Sequence, residues 1–185
     1  DARIRKLLNN PVAVEQAITS IVKEARMYNG VNLDFEGLGY KDSGQELNEV
    51  QSAFNSFVAQ LSQQLHNNKC ELTLSLHPLN SAYPGYDYKT LGKLADYIII
   101  MAYDYGVKPE PAGMVKQAIE MARELVPAEK LILGISAARE TSESIADKIS
   151  LANRYDLQGI ALWRLGLLHD GMWDTLHNNI KPAKE

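Results

Sequence analysis

Apolar and polar positions alternate strictly over one short stretch of the chain, and on either side of it apolar positions recur at helical spacing. From Gly30 to Glu36, Val31, Leu33 and Phe35 are apolar, while Asn32, Asp34 and Glu36 are polar. Successive strand side chains point to opposite faces. The pattern therefore predicts a strand over residues 30–36 with one face packed on helices and the other lining something polar. Ahead of it, Asn10-Pro11 is a good helix start, with Asn as N-cap and Pro in the first turn. Val14, Ile18, Ile21, Val22 and Ala25 then predict a helix over about residues 11–27. After a polar loop from Gly37 to Gly44, Leu47, Val50, Phe54, Phe57, Val58, Leu61 and Leu65 form a second helical stripe. Leu72, Leu74 and Leu76 start a second strand that ends at His77-Pro78, and residues 79–89 are a loop bearing tyrosines and prolines. Leu91 and Leu94 mark a short helix. Tyr97 to Ala102 is a continuous apolar run, as in a strand buried on both faces. A helix over about 114–125, a strand over 131–135, a helix over about 142–154 and a strand over 159–163 follow, and a short segment closes the chain.

Strands that alternate with helices imply a parallel sheet with right-handed crossovers. Two folds fit, an open doubly wound sheet and a (β/α)8 barrel. Polar residues stand at the C-terminal ends of nearly every strand: Asp34 and Glu36, His77, Tyr103 and Asp104, Ser136, and Trp163 with Arg164. An open sheet puts its site at one switch point, whereas a barrel gathers residues from many strands. No strand is followed by a Gly-rich phosphate loop. The expected fold class is therefore α/β, of the (β/α)8 TIM-barrel type. A whole barrel takes about 250 residues and eight strands. Five strands are predicted here, so the barrel is partial, with the first three units missing, and residues 1–185 form a single catalytic-type domain.

Composition narrows the chemistry only a little. The net charge of −4 gives no electrostatic case for nucleic acid, which would require a basic stripe. No apolar run approaches the roughly 20 residues that span a bilayer, so no membrane span is expected. The one cysteine, Cys70, has no internal disulfide partner and is expected as a small buried hydrophobe beside a strand. His66, His169 and His177 are scattered without metal-ligand spacing, so neither a metal nor a cofactor is expected.

Two carboxylates two residues apart on one strand face repel each other and split their pKa values. One can then hold a proton near neutral pH beside a permanent anion. The bland reading of Asp34 and Glu36 is a solvated strand edge or a salt-bridged pair. Three segments weigh against it together. Asn29-Gly30-Val31-Asn32-Leu33-Asp34-Phe35-Glu36 aligns with the fourth-strand signature Asp-x-x-Asp-x-Asp-x-Glu. Met101-Ala102-Tyr103-Asp104 matches the sixth-strand pattern Met-x-Tyr-Asp. Gly159-Ile160-Ala161-Leu162-Trp163-Arg164-Leu165-Gly166 matches a terminal strand with its pocket tryptophan. On these segments the chain resembles glycoside hydrolase family 18, the chitinase-like family, over the C-terminal five-eighths of that family's barrel. Their wording looks most like the bacterial cell-wall and spore-associated branch.

The resemblance implies hydrolysis of β-1,4 bonds in N-acetylglucosamine-containing glycans of the chitin or peptidoglycan type. Glu36 would be the general acid, Asp34 would hold the acetamide N–H and offset the developing positive charge, and Tyr103 and Asp104 would orient the acetamido group. Asn32, Met101, Tyr103, Asp104, Trp163 and His77 would contact substrate. The only partner implied is an N-acetylated glycan, with a homodimer if the incomplete barrel buries its open edges against a second copy. The parent protein would be secreted or associated with the cell wall or spore. Two alternatives stay open: a catalytically silent glycan-binding domain, and an inactive barrel fragment. Asn29 and Asn32 replace the first two signature aspartates, and the loop after Ile135 is too short for the α+β insertion of many relatives. Tyr83, Tyr86 and Tyr88 are either glycan-stacking residues or loop packing. Asp42, Glu46 and Glu49 look like helix N-terminal charge.

Overall fold

The structure is a computed structural model that describes residues 1–180, so residues 181–185 of the expected domain lie outside the described residues. The chain divides into two compact units at Ile99–Ile100.

The first unit opens with two helices, α1 (Ala2–Leu8) and α2 (Pro11–Ala25). The Asn10 side chain accepts hydrogen bonds from the Val12 and Ala13 amides at 3.1 and 3.2 Å, which satisfies two orphan donors at the start of α2. Val14, Ile18, Val22 and Ala25 are buried along one stripe, and the helix stops at Ala25, two residues short of the expected end. α1 was not anticipated: none of its residues is buried, so it carries no apolar stripe to read. Arg5 fixes it by pairing with Asp1 at 2.5 Å and with Asp42. Strand β1 covers Gly30–Leu33, helix α3 Gly44–Asn67, strand β2 Glu71–Leu76 and helix α4 Tyr88–Leu94. β1 and β2 are parallel, with Val31 opposite Leu72 and Leu33 opposite Leu74. Leu72, Leu74 and Leu76 are fully buried, each worth about 2 kcal/mol of transfer free energy. α3 covers this sheet with Phe54, Phe57, Val58, Leu61 and Leu65. Cys70, immediately before β2, is buried as expected, with its thiol against the Ala25 carbonyl at 3.6 Å.

Strand β3 (Tyr97–Ile100) runs to the boundary between the units. It is not buried on both faces: Ile98 and Ile100 are inaccessible, but Tyr97 and Ile99 keep partial exposure. The second unit holds helix α5 (Ala112–Arg123), strand β4 (Leu131–Ser136), helix α6 (Ser142–Arg154), strand β5 (Gly159–Trp163) and helix α7 (Asp170–Asn179). Thr141 and Ser144 close a reciprocal capping box at the start of α6. β4 and β5 are parallel, with Ser136 opposite Trp163. α7 buries only Met172 and Leu176, one pair four residues apart, too little to predict from sequence.

The five strands stand in the order β1-β2-β3-β4-β5, all parallel. Chain order, parallel pairing and a helix after each strand are the repeat of a (β/α)8 barrel carried through five of its eight units.

Candidate active site

β1 loses its ladder partner after Leu33, so Asp34, Phe35 and Glu36 lie beyond the paired strand rather than within it. The alternation survives without the ladder. Phe35 packs on Phe54 and Phe57 of α3, at ring-centroid distances of 6.0 and 5.4 Å. That packing turns Asp34 and Glu36 the other way, and both are exposed. Asn32, on the same side of β1, accepts a hydrogen bond from the Ser75 hydroxyl of β2 at 3.0 Å.

His77 follows β2 directly. Its Nε2 lies 3.8 Å from Glu36 Oε2, and its ring stacks on Tyr83 with centroids 4.2 Å apart. Tyr40 continues this aromatic row beyond Tyr83 at 5.5 Å. Partial burial holds the Asp34 carboxyl above the usual carboxylate range. The Glu36 charge pushes the same way, and His77 opposes both. Asp34 as a residue still reaches solvent.

The three loop tyrosines separate in the structure. Tyr88 is buried and its hydroxyl donates to the His77 carbonyl at 3.0 Å. Tyr86 is also buried, with its hydroxyl donating to the Phe35 carbonyl at 2.7 Å and accepting from the Leu38 amide at 3.2 Å. Burial and the nearby Glu36 and Asp34 charges raise the Tyr86 phenol well above its ordinary value, against the Leu38 and Gly37 amides. Only Tyr83 keeps partial exposure. Beneath these side chains the two loops touch backbone to backbone. A Cβ at Gly39 would lie 2.4 Å from the Gly85 nitrogen, and one at Gly85 would lie 2.5 Å from the Leu38 carbonyl carbon.

In the second unit, Met101 is buried, Tyr103 is half-buried and Asp104 is exposed. Asp104 takes a left-handed backbone, φ 66°. The segment is held by Glu110, whose side chain is fully buried. Glu110 accepts the Asp104 and Tyr105 amides at 2.9 and 3.0 Å and pairs with Arg139. Arg139 also lies 3.4 Å from Asp104 and donates to the Val107 carbonyl at 3.0 Å. Behind it, Lys148 donates to the Glu110 carbonyl at 3.1 Å and to Glu140 at 2.7 Å. None of Glu110, Arg139, Glu140 and Lys148 was singled out in the sequence. Lys148 did leave a signal: it falls within the stripe Ile145, Ile149, Ala152 that buries α6. Trp163 ends β5 with 58% of its surface exposed in this chain, and the Trp163–Arg164 peptide is cis. Among the described residues, no group of three or more His, Cys, Asp or Glu side chains could hold a metal ion. No described helix is long and apolar enough to cross a membrane.

Parallel βα units with carboxylates following the C-terminal ends of strands have the organisation of a barrel enzyme. Residues 3–140 match the profile of the glycosyl hydrolases family 18, and the chain belongs to that family. The match stops short of the Trp163 segment. The chain is 29% identical over 144 residues to the cortical fragment-lytic enzyme of Bacillus subtilis (strain 168), covering 70% of this chain and 32% of that protein. It thus spans about a third of the length of that relative. Among solved structures, a chitinase from Chromobacterium violaceum ATCC 12472 superposes with a TM-score of 0.79 at 24% identity, over 91% of this chain and 72% of that one. The spore cortex-lytic enzyme SleL of Bacillus megaterium QM B1551 superposes with a TM-score of 0.82 at 21% identity, over 96% of this chain and 55% of that one. At these identities the two structures establish the fold.

Proposed function

We propose that this chain carries the acid–base machinery of a retaining glycosidase for N-acetylglucosamine-containing glycans. The observation that carries the reading is the pairing of exposed Glu36 with Asp34, whose carboxyl is held above the usual range by burial and by the Glu36 charge. Two such carboxylates resist ionising together, and the member of this pair that is raised is Asp34.

The chemistry is the substrate-assisted variant, in which the sugar's own 2-acetamido group replaces a protein nucleophile. Glu36 donates its proton to the glycosidic oxygen. The acetamido carbonyl oxygen attacks the anomeric carbon as the leaving group departs, giving an oxazolinium ion. Asp34 accepts the acetamido N–H and its negative charge offsets the developing cation. Glu36, now a carboxylate, takes a proton from water, which opens the oxazolinium with net retention. Asn32 and His77 border the same carboxylates and contact the sugar there. In the second unit, half-buried Tyr103 and exposed Asp104 offer polar groups to a sugar and Trp163 offers a flat apolar face to a pyranose ring, while Met101, expected as a contact, is buried. A peptidoglycan-type glycan at a spore or cell wall is the favoured substrate and location, supported by the names of the relatives and by the wording of the motif segments.

The test is mass spectrometry of products from chitin oligosaccharides and peptidoglycan fragments, with this chain and with a longer polypeptide that carries it. New N-acetylglucosamine reducing ends that disappear with Glu36→Gln are the expected result. Equal turnover by Glu36→Gln would overturn the acid assignment. Binding without cleavage by the unaltered protein would leave a glycan-binding domain in place of an enzyme.

A further inference from the structure

Glu36 lies where the chain has no ladder to hold it. The β1–β2 register ends at Leu33 opposite Leu74, and residues 34–37 belong to no helix or strand. A proton donor must nonetheless sit within hydrogen-bond reach of one oxygen of the substrate. Something other than the sheet has to fix residues 35–38.

We infer that Tyr86 is the positioning residue for Glu36, its hydroxyl clamping the backbone on both sides of that acid. The inference rests on the glycosidase reading of Glu36. The Tyr86 oxygen donates to the Phe35 carbonyl at 2.7 Å and accepts from the Leu38 amide at 3.2 Å. These groups belong to the residue before Glu36 and the residue two after it. A hydroxyl is the side-chain group that can donate and accept at one atom, so a single oxygen spans the turn. The neighbouring Gly85 amide adds a third bond, to the Leu38 carbonyl at 3.1 Å. The ring is itself held firmly. It is 3% exposed and stands edge-on to Phe54 at 5.8 Å, the same phenylalanine that packs on Phe35. It also tilts against His77 at 5.9 Å, the residue whose imidazole borders Glu36. With its phenol held above the ordinary range by burial, the hydroxyl keeps its proton through neutral pH and into mild alkali.

Tyr86 does not act on substrate, because it is buried. Simple packing does not account for it either, because phenylalanine would fill the same volume. What phenylalanine would lose is the clamp. Misplacement of a catalytic group by about 1 Å costs on the order of 100-fold in rate, and a lost hydrogen bond in a folded protein is a modest stability change. Tyr86→Phe therefore separates position from folding.

The experiment compares the wild type with Tyr86→Phe, in whichever polypeptide proves active, with Tyr155→Phe as control. Tyr155 also loses a hydroxyl bond, to Glu120, at an exposed site in the second unit. Amide hydrogen exchange reads the clamp without needing activity. In Tyr86→Phe the Leu38 amide should exchange about fivefold faster or more, while Leu72 and Leu74 keep their protection. Steady-state kinetics reads positioning. kcat should fall roughly 10- to 100-fold with KM within about twofold, and Tyr155→Phe should match the wild type in both. Unchanged Leu38 exchange overturns the clamp. Faster exchange with unchanged kcat, or a loss confined to KM, overturns the positioning role. If the wild type itself cleaves no glycan, the glycosidase reading fails and takes the positioning role with it, while the exchange result still decides whether the clamp exists.

Discussion

Asp34 and Asp87 are carboxylates in the same unit whose folded environments act in opposite directions. Asp34 is raised, so the folded state binds its proton more tightly than the unfolded chain does. Its stabilising effect is complete below the unfolded value near ~3.9 and is lost as pH rises through the folded value. At neutral pH the Asp34 carboxylate therefore weakens the fold. We expect Asp34→Asn to raise Tm at pH 7, with the gain vanishing near pH 3 and turnover falling throughout. Thermal scans across that range, paired with rate measurements, check it. Asp87 caps α4. Burial pushes its carboxyl up, but hydrogen bonds from the Thr90 hydroxyl and amide, from Asn55 and from the Lys89 amide outweigh burial and leave it lowered. Its contribution is present above the unfolded value and lost as pH falls through the folded one. Asp87→Ala should cost about 1 kcal/mol near pH 7 and little near pH 2, read by denaturant unfolding at both pH values. The carboxylate pair at residues 34 and 36 was legible because the alternation names the exposed face. Tyr86 was legible only as a loop tyrosine that either stacks on glycan or packs, and Asp87 not at all, because a buried clamp and a helix cap in an irregular loop leave no periodicity.

Among the elements, the strands were the most legible and the chain-terminal helices the least. β5 and α6 fall where the pattern puts them, β5 as an apolar run and α6 because it buries a stripe of apolar residues. α1 and α7 were absent from the reading because one buries nothing and the other buries a single pair. The strand expected over 30–36 ended at Leu33 because side-chain alternation outlasts backbone pairing: Phe35 stays packed on α3 after the ladder has stopped. α6 carries the strongest stability prediction. Lys148 and Glu140 are almost wholly buried, and one Glu140 oxygen, Oε1, has no hydrogen-bond partner. Removing one member of a buried pair strands the other charge, at about 3–5 kcal/mol. Lys148→Met should lose that much by urea unfolding. Lys148→Met with Glu140→Gln should recover a large part of it, and a strictly additive double variant would refute the coupling.

On the scale of the whole molecule, five parallel strands in chain order leave β1 and β5 as the outer strands. β1 keeps Val31 partly exposed, and every residue of β5 keeps some exposure. Next to β1, Ile21, Ala25, Tyr28 and Val31 line a shallow apolar groove. Open strand edges with apolar flanks recruit other chains. We expect the 185-residue chain to elute at an apparent mass that rises with concentration, and Val31→Lys to reduce that rise. Light scattering coupled to size exclusion distinguishes this from a fixed monomer. The barrel class was legible because a parallel βα repeat announces itself unit by unit. The extent of each edge's exposure was not, because it depends on which strands stand beside it.

The backbone contact between Gly39 and Gly85 has a consequence for how sequences of this kind can diverge. Neither position accepts a side chain unless the other loop moves, so the segment after the first strand and the segment after the second are inherited as one piece. A chimera that takes residues 34–42 from a relative while keeping its own 79–87 would join two surfaces that were never fitted to each other. The same exchange made with both segments together would carry the fit across intact. The smallest transferable part of this end of the sheet is thus a pair of loops distant from each other in the chain, and recombination that respects only contiguous blocks will keep breaking it.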